Sequence, residues 1–452
     1  MPQENQPMAG DRPLRIVDWR QLDEAARLKV AEPASLALFD DQLRASVGAL
    51  IAEVRAEGDA ALVRALERFD GCRITADRLR ASDAEFEAAK REVEPALQKA
   101  IRHSIDRVRR FNEHLLEHGN WRVEIEPGLM VGEKTTPIES AGLFVPSGKG
   151  SFPSVLVQIG TPAIVAGVPT VAVVVPPMAG SGGRIDPAVL FAASELGIRN
   201  VFRANGPTGI AALAFGTQTV PKVLKVLGPG SPPVAMAQIE VQRYGCLAHM
   251  LLGPSESLII ADAGADIEFL AADLLNEAEH GPDSSAYLVT DDDGVIDAIQ
   301  REVARQMALL PQPRRDYAAR ALGSNGGAIL VRDMAEAAAV ANLIAPEHMQ
   351  IATRDDEAVL AMIRNAGEIL LGQYTTISSA NYVIGVPAAL PTTRFARVAS
   401  GVTAEAFLKR SSIARATREA QDAMRETVVT YARHEGFPAH AAAAEIRARR
   451  RK

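Results

Sequence analysis

From residue 141 to residue 371, β-branched apolar runs alternate with helical patterns, and this alternation constrains the fold most. Strand patterns at 170–175, 200–204 and 223–227 each follow a helical pattern, at 155–166, 187–196 and 209–215. Strands separated by helix-length segments cannot close as hairpins. Each must cross over and lie parallel to its neighbour. A parallel sheet needs helices on both faces, so the expected class is α/β. Gly-containing turns should collect at the carboxyl ends of the strands, where such sheets bind ligands. A second series follows, with strands at 286–290, 328–331, 349–352 and 368–371 and helices at 294–309, 334–343 and 357–366. It predicts a second α/β unit, although the two halves share no clear sequence repeat.

The flanks read differently. Residues 1–13 read as disordered, and the rest of the first 120 residues as a helical region. Val47, Leu50, Ile51 and Val54 lie on one helical face up to Gly58. A second helix runs from Asp59 to Asp70-Gly71, Ser82 and Glu85 form a capping box for a third, and a longer one follows Pro95. His103, His114 and His118 read as surface residues. Residues 123–138 alternate like strands. The segment 141–154 is a strand opening into a Gly- and Ser-rich loop before a helix, a junction whose free N–H groups suit phosphate. It is neither a P-loop nor a GxGxxG turn. Residues 372–394 read as an irregular loop and the last 50 residues as helical.

A formal net charge of −7 argues against a nucleic-acid binder. Two cysteines, Cys72 and Cys246, cannot build a disulfide framework, which fits a reduced, cytoplasmic setting. No apolar run reaches the ~18 residues that span a bilayer, and the N-terminus lacks an apolar signal core.

Chemistry concentrates around residues 253–283. Gly253-Pro254-Ser255-Glu256 is a turn, the next residues a buried strand, and Asp266 an N-cap. Ile267, Leu270, Leu274 and Ala278 recur at helical spacing until Gly281-Pro282. Glu277 and His280, at i and i+3, share a face. A carboxylate and an imidazole there suit a zinc ion. They equally suit a solvated helix end, with His280 near the C-terminal dipole.

The chain resembles the histidinol dehydrogenase family over nearly its whole length. The resemblance rests on Arg55 to Gly71, the loop from Val145-Pro146 to Ser154, residues 211–217, Gly228-Pro229-Gly230 and Gly253-Pro254-Ser255-Glu256. It continues through residues 278–283, Pro346-Glu347-His348, Leu390-Pro391-Thr392, and Glu435 with His440. It implies a zinc-dependent, NAD-linked alcohol dehydrogenase, built as an intertwined homodimer with two Rossmann-like domains. The implied parts are a helical region at 1–120, Rossmann-like units at 121–250 and 251–385, and a C-terminal loop and domain-swapped helical arm at 386–452.

Carried over position by position, the catalytic pair is Glu347 and His348. The zinc ligands Gln, His, Asp and His become Glu277, His280, Asn381 and His440. Gln has become Glu while Asp has become Asn, so the set keeps two imidazoles, one carboxylate and one amide. The implied substrate contacts are Ser255, Glu277, His280, His348, Asn381, Glu435, His440 and Ala388, the last standing where the family has His. The implied cofactor contacts, Tyr, Gln and Asn in the family, are Phe144, Thr208 and Ser231. Lys149 can meet an anionic substrate, the cofactor's pyrophosphate or solvent. The altered recognition positions predict an alcohol other than histidinol. The alternatives are histidinol itself, a sulfonated diol, or a catalytically inactive ligand-binding relative. The expected partners are a small-molecule alcohol and a second copy of the chain, with neither nucleic acid nor membrane.

Overall fold

The computed structural model describes residues 13–33, 40–117, 119–147, 151–249 and 253–449. Residues 1–12, His118 and Lys149 lie outside the described residues. The strands, in chain order, are β1 (Ile16–Asp18), β2 (Trp121–Glu126), β3 (Leu129–Pro137), β4 (Ser140–Phe144), β5 (Thr170–Val175), β6 (Asn200–Arg203) and β7 (Lys225–Leu227). They continue as β8 (Leu247–Ala248), β9 (Glu256–Ala261), β10 (Ser285–Thr290), β11 (Gly327–Leu330), β12 (His348–Ala352), β13 (Glu368–Leu371) and β14 (Leu408–Ala416).

Two parallel sheets carry the molecule. The first has the order β6-β5-β4-β7-β8 and the second β1-β11-β10-β9-β12-β13. Alternation along each strand feeds two cores. In β5, Val171, Val173 and Val175 point into one layer with helices Pro95–Leu116, Pro153–Val165 and Pro187–Glu195. Ala172 and Val174 point into the other, with helices Asp41–Glu57, Asp59–Asp70, Gly206–Phe215 and Pro232–Val241. In β9, Ile259 faces helices Ile267–Ala278 and Asp293–Met307, while Leu258 and Ile260 face helix Met334–Ile344. The α/β expectation therefore holds. Among the described residues no helix is long and apolar enough to cross a membrane.

Four segments differ from expectation. The first 120 residues are not wholly helical, because β1 pairs in parallel with β11. Its three residues are too few to show a period, and Gln300 pins the neighbouring Leu14 backbone through both its N–H and its carbonyl. The C-terminal 50 residues are not wholly helical either. β14 runs antiparallel to β3, which pairs with β2, in a small third sheet. Its residues are mostly exposed, with Lys409, Arg410, Ser411 and Ser412 in succession, so no apolar alternation announces it. Helix Pro232–Val241 went unread because Pro232 and Pro233 look like loop residues; Pro at the first helical turn is instead favoured. Within the expected loop after Gly372, helix Ile377–Ser379 leads into a π-turn, Ala380–Ile384.

Candidate active site

The functional side chains gather at the amino ends of β9, β12 and β13. Helix Ile267–Ala278 returns antiparallel to these strands, so its carboxyl end arrives at the same place. The helix starts as expected, with the Asp266 side chain accepting from the Glu268 and Phe269 N–H groups. Its buried face includes Leu270, Leu274 and Ala278, which fixes the rotation that turns Glu277 inward.

Glu277 is fully buried, at 0% exposure. Its Oε1 accepts from Asn381 Nδ2 at 2.9 Å and from Asn276 Nδ2 at 3.1 Å. Its Oε2 lies 3.0 Å from His280 Nδ1, and the same nitrogen lies 3.0 Å from Ser255 Oγ. Burial alone would raise the Glu277 carboxyl, but the charges of His280 and His348 bring it down to about 2. Burial likewise opposes charge on His280, yet Glu277 beside it raises its pKa.

His348 and Glu347 are also buried, at 3% and 8% exposure. His348 Nε2 lies 3.7 Å from Glu347 Oε1, and its Nδ1 lies 2.5 Å from Glu368 Oε1. Glu347 Oε2 accepts from the Glu256 N–H at 3.1 Å, while the Glu256 carboxylate accepts from the Thr393 N–H. Burial pushes Glu347 up to about 7 against the opposing pull of His348. Burial and the charge of Glu347 push Glu256 up to about 8. Burial would depress His348, but Glu347, Glu277 and Glu368 together raise it to about 10.

The expected ligands Glu277, His280 and Asn381 thus converge, with Ser255 beside them. Ala388 joins at one remove: its N–H donates to Gln158 Oε1, and Gln158 Nε2 donates to the Asn381 carbonyl, both at 3.3 Å. Glu435 and His440 are exposed in the C-terminal segment, and no side-chain hydrogen bond or ion pair among the described residues ties either to this cluster. Glu435 caps helix Arg418–His434, and His440 lies inside helix Pro438–Arg449, its ring against Phe437.

The expected cofactor positions lie at the carboxyl end of β4 and just past those of β6 and β7. Phe144 is enclosed in the core at 2% exposure, so its side chain offers a cofactor no surface. Thr208 is also buried, its hydroxyl donating to the Asn205 carbonyl. Ser231 alone of the three is exposed.

Among the described residues no three His, Cys, Asp or Glu side chains form a ready metal cage. The cluster offers one buried ionised carboxylate, one imidazole and one amide. Glu277 Oε2 is buried and faces His280 Nδ1 at 3.0 Å without a well-aligned hydrogen bond, an arrangement in which both atoms are free to turn toward a shared ion. Asn381 donates here; turning its amide over presents Oδ1, and such orientations are assigned from the network. The donor set fits zinc, with one ligand position left for a residue from outside this cluster.

Three participants escaped the sequence reading. Gln158 is the one amide in a mostly apolar helix, a signal legible in the sequence. Glu256 reads in the sequence as a turn residue and Glu368 as the start of a strand.

The histidinol dehydrogenase family model matches residues 36–448. The chain belongs to the histidinol dehydrogenase family. Members use NAD and Zn²⁺ and are oxidoreductases. A curated "Histidinol dehydrogenase" from Xanthomonas euvesicatoria is 41% identical over 435 residues, covering 96% of this chain and 99% of the relative. "Histidinol dehydrogenase homolog 2" from Mesorhizobium japonicum is 39% identical, covering 96% and 98%. The crystal structure of histidinol dehydrogenase from Elizabethkingia anophelis superposes with a TM-score of 0.91 at 30% identity, covering 96% of this chain and 98% of that one. The two-sheet architecture is thus that of the family.

Proposed function

We propose that the protein oxidises an alcohol with NAD and zinc, using Glu347 and His348 as its chemical pair. The observation that carries this reading is the burial of that pair within electrostatic reach of Glu277, which itself meets Asn381 and, through His280, Ser255. Glu277, His280 and Asn381 would hold the ion, with His440 of a second copy as the fourth ligand. When bound, zinc supplies Lewis acidity toward the alcohol oxygen and a charge that counters the carboxylates around His348. NAD supplies the hydride acceptor.

His348 takes the hydroxyl proton at Nε2 as the C–H hydride leaves, giving an aldehyde. Glu347, held by the Glu256 N–H and raised by burial, is poised near neutrality to accept a proton from water attacking that aldehyde. Loss of a second hydride from the hydrate gives a carboxylate. The sum is one alcohol and one water converted to one acid, with two NAD reduced.

The relatives' names favour histidinol as substrate over the other alcohols. One observation favours a second reading, a different alcohol. Ala388, linked through Gln158 to Asn381, has no side-chain group for a polar substrate, and an unpaired polar group costs binding on burial. A sulfonated diol would need a cation such as Lys149, which lies outside the described residues. The inactive reading has less support, since the chemical pair and the ligand cluster are all present. We also infer a homodimer whose sites are completed in trans, working in the cytoplasm.

Separating the two oxidation steps tests the mechanism. His348→Ala should lose alcohol oxidation by on the order of 10²–10⁴-fold. Glu347→Gln should mainly slow aldehyde-to-acid conversion. Wild-type rates for both variants in both steps would refute the pair's role.

A further inference from the structure

We propose that Glu368 is a positioning residue for His348, holding the ring so that Nε2 is the nitrogen that takes the substrate proton. The proposal rests on reading His348 as the proton acceptor.

The arrangement begins in the backbone. β12 and β13 pair in parallel with His348 and Glu368 as direct partners, and β9 places Ser257 opposite His348 on its other side. In a parallel pair, partners project to the same face of the sheet. Glu368 therefore meets the His348 ring from its own strand position, without a flexible loop between them. The result is a 2.5 Å contact from Nδ1 to Glu368 Oε1, with both side chains buried.

A hydrogen bond at one ring nitrogen decides the role of the other. With Nδ1 donating to a carboxylate, the neutral ring must leave Nε2 unprotonated. That atom is also the one nearer Glu347, at 3.7 Å. When Nε2 takes a proton, the imidazolium forms against a carboxylate already in place.

Glu368 has little reason to be there otherwise. Its Oε2 is buried without a hydrogen-bond partner. A buried carboxylate bonded through one oxygen is costly, and an apolar residue at this strand start would pack better. Buried carboxylates held beside an imidazole in a functional cluster are characteristic of sites that tune proton transfer.

The experiment compares Glu368→Gln and Glu368→Asp with wild type. Glu368→Gln keeps the shape and removes the charge. It should lower kcat for alcohol oxidation by ~10–100-fold with KM values little changed, and move the acidic limb of the kcat profile to lower pH. Glu368→Asp should recover part of the loss. Zinc content and thermal midpoint should stay at wild-type values for both.

Imidazole ¹⁵N spectra, with His348 assigned by His348→Gln, give a readout independent of turnover. Wild type should show the Nδ1–H tautomer in the neutral ring, and Glu368→Gln a ring that protonates at lower pH. If wild type oxidises no alcohol, the functional reading fails while these spectra still decide the role of Glu368. An unchanged pH profile and unchanged spectra in Glu368→Gln would overturn the proposal. So would a loss of activity that tracks loss of zinc or of folding.

Discussion

Asn381 donates its amide N–H to Glu277 Oε1 across 2.9 Å, joining the π-turn after β13 to the helix that leads out of β9. The two residues stand at positions where the family has Asp and Gln respectively. In the proposed ligand set, this contact keeps one amide and one carboxylate together as a hydrogen-bonded pair. The proposed ligand set would carry one negative charge, the same as the family's, so a bound Zn²⁺ would keep the same net charge.

The purified protein should therefore carry about one zinc per chain. Restoring the order with Glu277→Gln and Asn381→Asp together should preserve the metal. Asn381→Asp alone places a second carboxylate beside a buried one and should raise the carboxyl pKa values without tightening zinc. Elemental analysis checks all three. Wild-type protein that is active and metal-free would refute the zinc site.

The exposed positions of Glu435 and His440 predict complementation between chains. Removing residues 430–452 should cost zinc and activity while leaving both parallel sheets folded. Inactive His440→Ala and His348→Ala chains, exchanged into heterodimers, should regain about half the sites, since one site then holds both intact residues. Inert heterodimers, demonstrated by mass spectrometry, would show that His440 does not act in trans.

Asp273, one turn before Glu277, predicts an unusual pH dependence of stability. Burial pushes its carboxyl up to about 6 from 3.8, with the hydrogen bond from Gln350 opposing. Between those values the folded state binds more protons than the unfolded one, so this group's contribution falls as pH rises. The stability it contributes is fully present below pH 3.8 and lost through about pH 6. Asp273→Asn should remove that loss, becoming more stable relative to wild type by up to about 3 kcal/mol as pH rises. Urea midpoints across this range check it; a constant difference between the two proteins would contradict it.

Much of the frame was legible because its causes are local. Asp266 caps a helix, Pro95 starts one, Ser82 and Glu85 form their box, and β-branched runs make the buried strands. β1 and β14 were not legible, because their partners lie hundreds of residues away and their own sequences carry no period. The site divides along the same line. Glu277 and His280 could be paired from helical spacing alone, whereas Asn381, Ser255, Glu347 and His348 entered through family resemblance. Glu368 and Gln158 entered only through the fold, one by strand register and the other by a contact between the two sheet units. The carboxyl-end rule also has limits: the proposed catalytic pair, Glu347 and His348, sits at the amino end of β12, where helix Met334–Ile344 returns.

The most direct measurement is NADH formation by the zinc-containing dimer, first with L-histidinol and then with other primary alcohols and diols. The account predicts NADH from at least one alcohol, about two per alcohol when the acid is formed, and none from the same substrate with His348→Ala. Histidinol turnover would select the reading that the relatives favour; turnover of another alcohol alone would select the one that Ala388 favours. No NADH from any alcohol, by protein shown to hold zinc and to be dimeric, would contradict the account.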